Sequence, residues 1–204
     1  MKRITAGLLT GMLVILCLAG CGNDGKMEKH SLRDLVMADD TLVPGETLAW
    51  YMAREDFLES RWADDGLRAE SESYDETRVG ETENGMTDYT LKTEIELSSV
   101  KADAGMMVLF NEKDELIRTT YRMLFKEDEK ERFFELLNGF AEELDGIEAL
   151  ESENPELRGF SEGSLNEMPL FLVWHCPGND TDIELQAMSL MGMLILDVAV
   201  YAEG

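Results

Sequence analysis

Three groups of side chains in this 204-residue chain have the type and spacing to do chemistry. Asp180-Thr181-Asp182-Ile183-Glu184 sets oxygen ligands at alternate positions, as a calcium loop does. The pattern then lapses: the sixth position lacks the glycine that a tight loop needs, and Met191 stands where a bidentate glutamate would be. A polar hairpin turn is the simpler expectation. Carboxylate pairs are the second group, since acid–base hydrolysis needs two within reach of one bond. With 43 acids such neighbours are unavoidable, so proximity marks no particular pair. The third group is Met188-x-x-Met191-x-Met193, whose soft thioethers would suit Cu(I). These methionines fall in or beside a strand-like apolar segment, where Met is an ordinary gap filler, so core packing is expected. Histidine is confined to His30 and His175, too few with one spare thiol to close a zinc site. No Gly-x-Ser-x-Gly, His-Glu-x-x-His or phosphate-binding loop is present. No catalytic, metal or cofactor-binding residue is therefore assigned, and no cofactor is expected.

Period and punctuation locate the elements that would carry these groups. Residues 31–44 read as a short helical turn that ends before Pro44-Gly45. Leu48, Tyr51, Leu58 and Trp62 recur at helical spacing and predict a helix over 47–62. Residues 64–88 hold nine acids and two bases and read as a solvated loop. Leu91, Thr93, Ile95 and Leu97 alternate with Lys92, Glu94 and Glu96, the period of a half-buried strand. Strands follow at 106–110 and 116–125, the latter alternating Ile117, Thr119, Tyr121 and Met123 against Arg118, Thr120 and Arg122.

Phe133, Leu136, Leu137, Phe140, Leu144 and Ile147 form one apolar stripe, which predicts a helix at about 127–150. Late acids oppose its dipole, and Gly146 marks an early stop. Residues 151–168 read as loop. Three more strands are expected at 169–175, 183–189 and 193–201, the last apolar on both faces like a central strand. The sum is an α+β fold: a mainly antiparallel sheet of about six strands with helices packed on one face. Its order reads as a weak repeat, helix then three strands, twice.

Charge narrows the partners. The chain carries −25, and the first 20 residues contribute no acid and two of the bases, so residues 21–204 carry −27. Such a surface repels nucleic acid phosphates and anionic headgroups. Nucleic acid is excluded as a partner, while a basic protein, a polyamine or a divalent cation is compatible.

The N-terminus begins with Lys2 and Arg3, runs apolar from Ile4 to Gly20, and ends in small residues before Cys21. The layout is that of a secretory signal, too short for a stable membrane span. Leu18-Ala19-Gly20-Cys21 resembles the lipobox of bacterial lipoproteins. That resemblance implies cleavage before Cys21, a diacylglycerol on its thiol and acylation of its new amino group. Two or more acyl chains would hold the chain stably to a membrane. Gly22 rather than Asp follows the cysteine, which argues against the inner-membrane retention signal of such lipoproteins. Cys17 would leave with the leader and Cys21 be consumed by lipid. Cys176 then remains as a lone thiol, expected to be a small buried residue beside Pro177.

The expected organisation is a signal peptide over 1–20, a lipidated tether over 21–30 and a single α+β extracytoplasmic domain over 31–204. The expected function is a lipid-anchored cell-envelope protein that binds or scaffolds a partner and catalyses nothing. One alternative is a small envelope hydrolase using paired carboxylates. Another is an acidic binder of basic protein, polyamine or divalent cation.

Overall fold

A computed structural model of the protein describes residues 31–63, 87–97 and 102–202. The leader, Cys21, the tether with His30 and most of the expected loop at 64–88 lie outside these residues. Along the chain the elements are α1 (Leu32–Val36), β1 (Met37–Ala38), β2 (Thr41–Leu42), α2 (Arg54–Glu59), β3 (Thr87–Leu97), β4 (Ala102–Phe110) and β5 (Leu116–Lys126). A 3-10 turn at Glu127–Glu129 leads into α3 (Lys130–Asp145). Then come β6 (Glu151–Ser152), a second 3-10 turn at Glu162–Glu167, β7 (Leu170–Cys176), β8 (Thr181–Leu190) and β9 (Met193–Ala202).

Six long strands and the two-residue β6 form one antiparallel sheet in the order β3-β4-β5-β9-β8-β7-β6. The fold is α+β, as the sequence led us to expect. Strands β3 to β5 make one meander and β7 to β9 another. The last strand of each meander pairs with the other at the centre, β5 with β9. A helix precedes each meander, α2 the first and α3 the second, which gives the weak repeat a structural form. β9 is buried along most of its length because it is central and apolar on both sides.

One face of the sheet carries the core. Met106, Val108 and Phe110 of β4, Tyr121, Met123 and Phe125 of β5, Leu196, Val198 and Val200 of β9, and Ile183 and Leu185 of β8 are all buried. The helices close over them. Phe133 of α3 meets Phe125 edge-on at 5.6 Å, and Phe57 of α2 lies 5.4 Å from Phe110. The stripe Phe133, Leu136, Leu137, Phe140 and Leu144 is buried, as its spacing requires.

Two helices differ from expectation. α3 stops at Asp145 rather than near 150: the Gly146 amide bonds back to Glu142 O (3.1 Å) and Glu143 O (3.2 Å), ending the helix where acids already oppose its dipole. The expected helix at 47–62 shrinks to Arg54–Glu59. Its first half makes two successive turns beside the β4–β5 connection instead, closed by the Leu48 amide on Gly45 O and the Met52 amide on Ala49 O, both at 3.2 Å. The Tyr51 amide donates to Leu116 O and the Leu116 amide to Met52 O, both at 2.9 Å. Thr47 and Tyr51 adopt positive φ, which no helix tolerates. The apolar spacing there comes from loop anchors: Trp50 Nε1 donates to Leu42 O (3.1 Å) and Trp62 Nε1 to Glu46 O (2.8 Å). The short turn expected in 31–44 becomes α1, capped by Ser31, followed by the β1–β2 hairpin.

Candidate functional site

Strand alternation sends every second side chain to the face opposite the core. That face carries ordered rows across β7, β8, β9 and β5. His175, Asp182, Tyr201 and Arg118 lie in register across the four strands. The next row is Val173, Glu184, Ala199 and Thr120, and the third is Phe171, Gln186, Asp197 and Arg122. Beyond them the face turns apolar: Met188, Ile195 and Leu124 align, then Leu190 and Met193 with Lys126.

The polar rows are paired. Arg122 grips Asp197 through two bonds, Nε to Oδ1 at 2.8 Å and Nη2 to Oδ2 at 2.5 Å. Asp197 is only 2% exposed, so this cation is what makes its charge tolerable in an apolar strand. The hydrogen bond to Asp197 holds the Arg122 guanidinium pKa above its usual value. His175 Nδ1 lies 2.7 Å from Asp182 Oδ1. Arg118 reaches Glu184 at 3.7 Å and sits 5.5 Å over the ring of Tyr201. Burial, followed by the nearby Asp182 and Glu184 charges, pushes the Tyr201 phenol up to about 12. It is therefore neutral at physiological pH and serves as an uncharged polar edge.

The apolar end is exposed. Leu124 is 59% accessible, Leu190 56%, Phe171 46% and Met191, at the β8–β9 turn, 96%. Of the six large apolar side chains exposed among the described residues, Leu124, Leu190 and Phe171 lie on this face and Met191 at its β8–β9 turn. Here the sequence expectation was wrong. Met191 is not core filler, and Met188 and Met193 are half-buried on the open side. The reason is a reversal at Met191-Gly192, both at positive φ, which puts the apolar run through a tight turn at the sheet's end.

The other singled-out residues separate. Asp180 sits in the β7–β8 turn at positive φ, while Asp182 engages His175 and Glu184 engages Arg118. Among the described residues no group of three or more His, Cys, Asp or Glu side chains is placed to hold a metal ion. Cys176 points the opposite way from its neighbour His175: it is fully buried, with Sγ 3.7 Å from Asp40 O. Among the described residues the His175–Asp182 pair therefore has no thiol beside it. Among the described residues no helix is long and apolar enough to cross a membrane.

Sequence reading placed Arg118, Thr120 and Arg122 together on one side of their strand but did not pair them. The available signal was Asp197, a lone acid inside an apolar strand. Burial of such a charge demands a cation, and the cation had to come from a neighbouring strand. No known protein family model, curated protein or solved structure matches this chain.

Proposed function

We propose that this protein is a bacterial lipoprotein, anchored by lipid on Cys21 to the extracytoplasmic side of a membrane, which docks a protein partner and catalyses no reaction. The anchor rests on Lys2-Arg3, the apolar run and Leu18-Ala19-Gly20-Cys21. The observation that carries the docking role is the open sheet face. Among the described residues all three helices pack on the opposite side, yet this side combines fixed, mutually paired charges with a gathered set of exposed apolar side chains. Such a surface is pre-ordered, so association orders few further side chains. Exposed apolar patches of this kind mark interaction sites more often than chance solvent exposure does. Among the described residues, Cys176 faces the core, away from His175 and Asp182.

Photo-crosslinking in intact cells tests the docking role. A photoreactive side chain at Leu124 or Met188 is expected to yield a discrete protein adduct. The same group at Glu131, on the solvent side of α3, is expected to yield none. Equal labelling, or no adduct from the open face, would overturn the reading.

A further inference from the structure

We infer that the partner seated on the open sheet face is a second copy of this chain, packed face to face in a two-fold dimer. The inference rests on the docking role proposed above and gives it an occupant.

Charge balance is the first argument. Residues 21–204 carry −27, so two copies repel through most of their surfaces. The open face is the exception. Across β5, β9, β8 and β7 its outward side chains include three cations, Arg118, Arg122 and Lys126, and three acids, Asp182, Glu184 and Asp197. Glu151 of β6, in register with His175, adds a fourth acid at the edge, so the face sums to −1. A strongly acidic molecule therefore presents one side of low net charge, and that side also holds exposed large apolar residues.

Charge arrangement is the second argument, and it selects the symmetry. The cations all lie on β5, and two of the four acids lie on β8, with β9 between them. A two-fold axis running along β9, midway between two stacked sheets, lays β5 of each copy over β8 of the other. Arg118 then faces Asp182 and Glu184 of the second copy, and Leu124 faces its Met188, because these residues share rows. An axis across the strands would instead put β5 over β5 and β8 over β8, setting like charges together. The self-complementary arrangement is the isologous one that closed dimers use.

Area is the third argument. Four strands spaced about 4.8 Å apart and about 30 Å long offer roughly 600 Å² of face. This is at the lower end of the roughly 600–1,000 Å² per partner that stable interfaces bury. Stacked sheets sit about 10 Å apart, a gap these side chains can fill.

Mixed-variant sedimentation of the full chain, extracted from membranes in mild detergent, tests this. The wild type is expected to sediment as a dimer. Arg118→Glu adds two negative charges to the face and Glu184→Arg two positive ones, so each alone is expected to lose at least about tenfold in self-affinity. Mixed together, they are expected to recover a one-to-one dimer. Leu124→Lys, at an exposed site outside any ion pair, is expected to weaken the dimer with its thermal melt unchanged. That variant keeps the test informative if a charge reversal disturbs folding. A wild type that stays monomeric at micromolar concentration overturns the inference. So does a dimer indifferent to all three substitutions, or single variants that fail to recover on mixing. If the wild type is monomeric while Leu124 still crosslinks to a different protein in cells, the docking role stands and the second copy is not its occupant.

Discussion

Two hydroxyls sit in the core without partners among the described residues, Tyr121 Oη and Thr119 Oγ1, both on the covered side of β5. A hydroxyl buried without a hydrogen bond costs about 1–3 kcal/mol. Burial also drives the Tyr121 phenol pKa far up, so it stays protonated and still lacks an acceptor. A side chain on Gly45 would come within 3.1 Å of that hydroxyl, so the surrounding backbone leaves little slack. Tyr121→Phe is expected to raise the denaturant midpoint, by up to about 1–2 kcal/mol in stability. A loss above about 1 kcal/mol would mean that the hydroxyl is bonded in solution.

Asp145 is the opposite case. It accepts two bonds from Arg158, at 2.6 and 2.5 Å, and one from Trp174 Nε1 at 2.9 Å. The Arg158 hydrogen bonds, ahead of the Trp174 bond, hold its carboxyl below the usual range. A lowered pKa gives stability that is present above the unfolded value and lost as pH falls through the folded one. Asp145→Asn should therefore lower the melting temperature at neutral pH, with the gap to wild type narrowing below about pH 4. A gap that is constant with pH would remove the carboxylate from this role.

At the scale of elements, period was the legible signal and local apolar spacing without period was not. β5 and β8 were readable because alternation is imposed by one buried face, β9 because its apolar run is continuous on both faces, and α3 because its stripe repeats over four turns. The stripe predicts its own energetics. Phe140 is fully buried under the sheet, so Phe140→Ala should cost about 3–5 kcal/mol in denaturant melts. A change below about 0.5 kcal/mol would mean the face is exposed. Residues 47–53 misled because Leu48 and Tyr51 mimic a helical repeat while the Tyr51 and Met52 backbone bonds to Leu116 of β5, a tertiary pairing that spacing alone does not encode.

The site was legible in parts and not in assembly. Alternation assigned Arg118 and Arg122 to one side of a strand. Strand order, which brings β9 and then β8 beside them, depends on a chain crossing that joins residues 75 positions apart. Met191 was misjudged because its neighbours are apolar, and a tight turn exposes such a residue regardless.

At the scale of the molecule, charge dominates, and the proposed anchor has its own test. With −27 on residues 21–204, repulsion should ease as salt screens charges over about 10 Å at 0.1 M, so moderate salt should raise the melting temperature. Sodium and magnesium at matched ionic strength should act nearly alike. A saturable calcium-specific rise, reversed by chelator, would contradict that reading, because it requires a native-state site. Cys21→Ala should abolish incorporation of an alkyne fatty acid, and equal labelling of the variant would remove the anchor.

The claim that joins these scales is that the open sheet face is covered when the protein works. Hydroxyl-radical footprinting of the protein in native membranes, against the same chain diluted in detergent, reads this directly, since thioethers and aromatic rings oxidise according to their exposure. The account predicts strong protection of Phe171, Met188, Met191 and Met193 in membranes, with Tyr51, an exposed ring in the loop before α2, oxidised equally in both. Equal oxidation of Met191 in the two states would contradict it.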